Sequence, residues 1–248
     1  MYNIINYMDI KFKVIIVTGA SSGIGEATAR LLTEKGAKVA LVARSTEKIM
    51  KLSEGLPGSI AITADMSKEI EIKKMIETVR EHFGRIDILI NNAGQGYGSP
   101  IEKIDLQKFR YIFDLNVIGP LVAMQAVIPI MREQGGGMIV NISSGTSLMY
   151  LPNVGAYSAT KRALNGIALT ARAELEKDNI KVSVLHPYIT ATEFYRNAIS
   201  VGAGSKGHVQ TSGNMPPADT AEFVAEKTIE LINSEDPELT VHDWMKNR

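Results

Sequence analysis

Apolar residues along this chain fall into two kinds of pattern. Short unbroken runs rich in β-branched residues occupy 13–17, 37–43, 59–64, 86–90, 138–142 and 180–185, with a shorter one near 239–242. Runs without polar alternation belong to strands covered on both faces, as in a parallel sheet. Between them lie stretches with helical spacing. One passes through Leu31 and Leu32 and stops at Gly36; others cover 69–83, closed by Gly84, then 105–132, interrupted by Pro120 and Pro129, then 156–176 and 218–232. Strands alternating with helices predict an α/β fold with a mostly parallel sheet.

Two stretches stand outside this rhythm. Residues 193–215 have no period and hold Gly202, Gly204, Gly207 and Gly213, which is long for an idle connection; a lid over a bound substrate is expected there. Residues 1–10 read as an N-terminal extension without the basic start or apolar stretch of a secretory signal, and Met8 is an alternative start.

Composition narrows the function classes. With 248 residues, 45% of them hydrophobic, and no visible linker or repeat, one domain over residues 1–248 is expected. The 27 basic and 27 acidic residues balance and the isoelectric point is near 6.9, so neither nucleic acid nor an anionic membrane is an expected partner. No apolar run approaches the ~20 residues of a membrane span. The absence of cysteine excludes disulfides and thiol catalysis and fits a reducing, cytoplasmic setting. His82, His186, His208 and His242 are scattered without ligand spacing, so no metal is expected.

The candidate chemistry sits at the ends of the apolar runs. The first run passes into Gly19, Ser21, Ser22, Gly23, Ile24 and Gly25 and then a helix. Strand, glycine turn and helix in that order present backbone N–H groups and a positive helix end to a phosphate. The second run ends at Ala43 and Arg44, where a dinucleotide fold usually carries a ribose-binding acid. An acid would repel a 2′-phosphate and a guanidinium would grip it. After the third run, Asp65 is either a helix cap or an adenine ligand, beside Met66. The fourth leads into Asn91, Asn92, Ala93 and Gly94, where small residues let a ligand approach the backbone. Ser143 and Ser144 end the fifth, on the side where open α/β sheets form their ligand crevice. Tyr157 and Lys161 lie four apart in a helical stretch, hence on one face, and an ammonium beside a phenol is expected to lower the phenol's pKa toward use as an acid-base group. Pro120 leaves the Asn116 carbonyl without its helical partner, and a kink there is expected to free that acceptor for a water.

In order and spacing, the Thr18–Gly25 turn, Asn91–Gly94, Asn116, Ser144 and the Tyr157/Lys161 pair resemble the short-chain dehydrogenase/reductase family, over about residues 11–235. The resemblance implies a single-domain Rossmann fold, a doubly wound sheet of about seven strands flanked by helices on both faces. It implies hydride transfer between NADP(H) and a carbonyl or secondary alcohol of a small, mostly apolar molecule, with NAD(H) the lesser cofactor. Tyr157 would be the general acid-base, Ser144 the donor to the substrate oxygen, Lys161 a ribose ligand and Asn116 the holder of a relay water. Gly19 to Gly25 would line the phosphates, Asp65 and Met66 the adenine, Asn92, Ala93 and Gly94 the ribose side, and Pro187, Thr190 and Thr192 the nicotinamide. Substrate contacts are expected from Gln95, Leu151, Tyr188 and Phe194. A homodimer or homotetramer is implied as well.

The chain departs from the family at Tyr188, which stands where the family places a glycine after the sixth strand. Two other functions compete. One is a non-catalytic NADP-binding sensor or scaffold. The other is a nucleotide-sugar epimerase or dehydratase, for which the residues after Pro187 leave little room.

Overall fold

The computed structural model describes residues 10–200 and 216–247. The runs form strands β1 (Val14–Thr18), β2 (Lys38–Ala43), β3 (Ile60–Thr63), β4 (Ile88–Asn91), β5 (Tyr97–Gly98), β6 (Gly137–Ile142), β7 (Ile180–His186), β8 (Ile199–Ser200) and β9 (Glu238–Thr240). Seven of them build one sheet in the order β3-β2-β1-β4-β6-β7-β9, and every pairing in it is parallel. The order reverses between β1 and β4. The resulting switch point opens a crevice outside the C-terminal strand ends.

Period-two alternation along buried strands sends side chains to two separate cores. Ile15 and Val17 face one side with Leu32 of α1 (Gly23–Glu34), Ile49 of α2 (Thr46–Glu54) and Leu231 of α7 (Ala221–Ser234). Val14 and Ile16 face the other with Ile76 of α3 (Glu69–Phe83), Val127 of α5 (Gly119–Glu133) and Ala168 of α6 (Gly155–Leu175). Both layers are apolar, and each strand flanked by them is held by roughly 25 cal/mol for every Å² of apolar surface removed from water.

The stretch 105–132 is helical from Leu106 onward but changes its winding midway. It is α4 (Leu106–Phe113) and α5, joined by a π turn over Asp114–Ile118 in which the Gly119 N–H reaches back to the Asp114 carbonyl. Proline lacks an N–H, and Pro120 is accommodated in the first turn of α5, where none is needed. Leu106–Glu133 is also long and apolar enough, by length and composition, to cross a membrane, which the bare runs did not suggest. Its apolar side is used in the core, where Val122, Ala123, Met124, Val127 and Met131 are buried. The helix α2, too short to show a period, went unread in the sequence. Of the lid expected over 193–215, residues 193–200 form turns and β8, and residues 201–215 lie outside the described residues, as does the proposed start at Met8.

Candidate active site

One cavity of about 590 Å³ opens at the switch point. Its wall includes Gly19, Ser21, Ser22, Gly23, Ile24 and Arg44, then Met66, Asn92, Ala93 and Gly94, then Ser144, Tyr157 and Lys161. Pro187, Thr190 and Thr192 complete the side formed after β7, with Gln95, Tyr188 and Phe194 beside them. Four expected ligands are not on the wall.

Gly25 lies behind the turn. A side chain there would run into the Gly19 carbonyl and the Asn92 carboxamide, so this glycine lets α1 approach the turn instead of touching a ligand. The Asp65 carboxylate is turned to Ser67, accepting from its N–H at 2.9 Å and its hydroxyl at 2.8 Å, and the residue preceding α3 is Lys68, so Asp65 neither faces the cavity nor caps that helix. Leu151 is exposed on the surface, as are its neighbours Tyr150 and Pro152, because the chain leaves the sheet there. Asn116 is fully buried behind the wall. Its Oδ1 accepts from Gln95 N–H at 2.9 Å and its Nδ2 donates to the Gln95 carbonyl at 3.0 Å and Thr160 Oγ1 at 3.1 Å. That carboxamide ties the segment after β4 to α6.

The glycine turn is fixed from the sheet. Thr18 Oγ1 accepts from the Asn92 and Ala93 N–H groups, both at 3.0 Å, and Asn92 Nδ2 donates to the Thr18 carbonyl at 2.8 Å. Gly19 and Gly23 adopt φ of +69° and +57°. The Ser22 side chain makes no capping bond at the head of α1, so the first-turn N–H groups remain available at the cavity.

Ser144 stands two residues past β6 and heads a short turn over Gly145–Leu148. Its Oγ accepts from the Thr146 N–H at 3.2 Å and the Thr146 hydroxyl at 3.0 Å. A hydroxyl has two lone pairs and one proton. With both lone pairs engaged, Ser144 can only donate to what enters the cavity. Lys161 is buried, and its Nζ donates to the Ile142 carbonyl at 2.8 Å; it stands 5.9 Å from the centre of the Tyr157 ring. Gly94 makes room for this ammonium and for Asn116, whose Oδ1 lies 3.1 Å from where a Gly94 Cβ would sit.

The charges differ from expectation. Burial pushes the Tyr157 phenol well above its ordinary value, the Tyr195 phenol adds to the rise, and the Ser144 hydroxyl offsets part of it. Burial also pushes Lys161 down to about 8. The lowering of Tyr157 by Lys161 is therefore absent from this geometry: the ammonium is bonded to Ile142, and desolvation dominates both groups. Tyr157 is an acid at rest.

Lys48 and Asn197, also on the wall, had no sequence signal. Lys48 lies one turn beyond Arg44 on α2, Tyr195 has its phenol pushed up to about 12 by burial and by Tyr188, and Asn197 accepts from Gln95 Nε2 at 2.8 Å. Phe194 lies 5.7 Å from the Tyr157 ring and 5.6 Å from that of Tyr195. Tyr188 needs no glycine's freedom, since its φ is not positive. Its ring packs edge-on to Trp244 at 5.1 Å and its hydroxyl reaches the Pro216 carbonyl at 3.3 Å.

Residues 13–200 match the family described as short chain dehydrogenase. An uncharacterised oxidoreductase of Staphylococcus saprophyticus is 39% identical over 189 residues, 75% of this chain and 77% of its own. Another, from Listeria innocua, is 38% identical over 192 residues, again 75% and 77%. A 3-ketoacyl-(acyl-carrier-protein) reductase from Brucella melitensis, complexed with NADH, superposes with a TM-score of 0.83 at 27% identity, over 94% of this chain and 95% of that one. An alcohol dehydrogenase from Thermococcus sibiricus, complexed with 5-hydroxy-NADP, gives 0.80 at 27% identity, over 93% and 96%. Cavity, sheet order and sequence agree, and this chain belongs to the short-chain dehydrogenase family of oxidoreductases.

Proposed function

We propose that the protein is an NADP(H)-dependent carbonyl reductase, or in reverse a secondary-alcohol dehydrogenase, acting on a small, mostly apolar substrate. The observation that carries this reading is the meeting of a donor-only Ser144, a half-buried, protonated Tyr157 and a buried Lys161 in a cavity that also holds the glycine turn. When bound, the nicotinamide exchanges a hydride with the substrate's carbonyl carbon.

The chain's own residues do the rest. Ser144 O–H donates to the carbonyl oxygen and holds it beside the Tyr157 hydroxyl. As that oxygen becomes an alkoxide, Tyr157 gives it the phenolic proton; burial has kept that proton in place, and an alkoxide is basic enough to take it. A positioned acid of this kind contributes ~100- to 10,000-fold. Lys161, bonded once to Ile142, keeps further N–H donors for a ribose hydroxyl and offers its charge to the phenolate left behind. Asn116, its carboxamide bonded to Gln95 and Thr160, serves the relay through a water at its main chain. In the oxidative direction the same groups run backward.

Gly19, Ser21, Ser22, Gly23 and Ile24 fit the phosphates, Met66 the adenine, Asn92, Ala93 and Gly94 the ribose side, and Pro187, Thr190 and Thr192 the nicotinamide. Arg44 and Lys48 fit a 2′-phosphate, which supports NADP over NAD. Gln95, Tyr188, Phe194 and Tyr195 shape the substrate end. The reading places one catalytic domain over 1–248, in the cytoplasm, as a homodimer or homotetramer. A panel of ketones, aldehydes and alcohols assayed with NADPH and NADP tests it: turnover of apolar or aromatic members that vanishes in Tyr157→Phe is expected, and no turnover of any member would overturn it.

A further inference from the structure

The substrate end of the cavity holds a phenol that the proposed reaction does not use. Tyr195 is half-buried on the wall, its ring edge-on to Phe194 at 5.6 Å, and Phe194 lies 5.7 Å from the Tyr157 ring. The segment that carries it is fixed before any ligand arrives. Thr192 Oγ1 accepts from the Phe194 N–H at 3.3 Å, Gln95 Nε2 donates to the Asn197 carbonyl at 2.8 Å, and β8 pairs with β5 through Ile199 and Tyr97. Gly96 lets the segment lie close, since a Cβ there would come within 3.1 Å of the Phe194 ring and 3.2 Å of the Ala198 side chain.

Hydrogen-bond accounting separates this hydroxyl from its neighbours. Tyr188 donates to the Pro216 carbonyl at 3.3 Å, Thr190 Oγ1 to the Tyr188 carbonyl at 2.9 Å and Ser143 Oγ to Ser147 Oγ at 3.4 Å. Thr192 lies against Gly23 at the cofactor end, and the Asn197 side chain is exposed to solvent. Among the described residues, the Tyr195 hydroxyl has no hydrogen-bond partner, and its oxygen remains accessible. Burial and the nearby Tyr188 push this phenol up to about 12, so at neutral pH it holds its proton and can donate. A polar group of this kind is solvated while the cavity is open, and a ligand that fills the cavity displaces that solvent. A ligand with no acceptor at this point leaves the hydroxyl unpaired, which costs roughly tenfold or more in affinity.

We propose that Tyr195 is a specificity-determining residue whose hydroxyl donates to a second oxygen of the substrate, so that the molecule reduced is a mostly apolar ketone with an oxygen on one of the two carbons next to the reacting carbonyl. The spacing is short because both phenols front the same end of the cavity, each in ring contact with Phe194. Ser144 and Tyr157 hold the first oxygen and Tyr195 the second, which fixes how the molecule lies in the cavity. A ketone of the same shape without the second oxygen fills the same space and strands the phenol. Sites built to bond a substrate group reject the analogue that lacks it for this reason. The consequence for turnover rests on the reading of Ser144 and Tyr157 given above; the binding preference does not.

The test reads binding and turnover separately with three ketones of one shape. In 2-ethoxy-1-phenylethan-1-one and 3-methoxy-1-phenylpropan-1-one an oxygen replaces a methylene of 1-phenylpentan-1-one, on the first or the second carbon from the carbonyl. Their dissociation constants are measured by calorimetry in protein saturated with NADP, the oxidised cofactor, which cannot reduce them. At least one ether is expected to bind about tenfold more tightly than 1-phenylpentan-1-one. Tyr195→Phe, which lacks only the unpartnered oxygen, should erase the difference by weakening the ether and tightening 1-phenylpentan-1-one. With NADPH, the ratio of kcat/KM values should show the same preference and lose it in the variant, whereas a merely structural role would lower all three ketones alike and leave the ratio unchanged. Equal constants in the unmodified protein, no binding of any of the three, or a preference that survives Tyr195→Phe would overturn the proposal. A binding preference without turnover of any ketone would instead mark the reading of Ser144 and Tyr157 as the part that failed.

Discussion

Arg44 gives the sharpest handle on cofactor choice. It follows β2 on the cavity wall, and its Nη1 donates to the Tyr111 hydroxyl at 2.9 Å, which orients the guanidinium and leaves other N–H groups for a ligand. A hydrogen bond to a charged group contributes about 1.5 to 3 kcal/mol, and about 1.4 kcal/mol is tenfold in affinity. Because Arg44 is exposed, the lower half of that range applies. Arg44→Ala should therefore reduce the preference for NADPH over NADH by about tenfold. Lys48 shares the same stretch of wall, so a residual preference of a few-fold should survive and disappear in the double variant. Tyr111→Phe removes only the orienting bond, about 0.5 to 1.5 kcal/mol, and should lower the preference by no more than about tenfold. The assay is kcat/KM for the two cofactors at fixed carbonyl substrate and low salt. Equal values in the unmodified protein, or a ratio unchanged by Arg44→Ala, would refute the reasoning.

Three further outcomes follow from the geometry. Thr146→Val removes one of the two donors that fill the Ser144 lone pairs, so kcat should fall about three- to tenfold with cofactor affinity unchanged, checked by steady-state kinetics beside fluorescence titration. Lys161 titrates near 8 when folded against an ordinary 10.5, so between those values the unfolded chain binds more protons and stability rises with pH. Urea unfolding of the cofactor-free protein should show a gain of roughly 1 kcal/mol per pH unit in that window, absent in Lys161→Met. Gly25→Ala should push α1 away from the glycine turn and weaken NADPH binding by more than about tenfold, measured by titration, because a Cβ there meets the Gly19 carbonyl and Asn92.

The strands were legible because a residue buried on both faces leaves no polar alternation, as in Ile15 to Val17. The catalytic and phosphate residues were legible because their spacing is local: Tyr157 and Lys161 share one helix face, and the glycines occupy one turn. What stayed hidden has no periodic signature or depends on burial. Thr146 fills Ser144's lone pairs through a tight turn with no periodic signature. Lys48 reaches the cavity through α2, whose 9 residues are too few for a period. The expected lowering of Tyr157 failed because adjacency on a helix says nothing of burial, and burial decides that phenol's charge. Pro120 marks the break in the 105–132 pattern, but the π turn over Asp114–Ile118 that precedes it has no signature in the spacing. Leu151 looked like a pocket residue by type alone, and the chain carries it outward.

The most direct measurement of the central claim is turnover by Tyr157→Phe, which removes the transferable proton and almost no volume. With the carbonyl most active in the NADPH panel, kcat should fall by ~100-fold or more while the NADPH dissociation constant, read by fluorescence, stays within about threefold of the unmodified protein. A variant that keeps more than about a tenth of the activity would contradict the assignment of Tyr157 as the acid-base group.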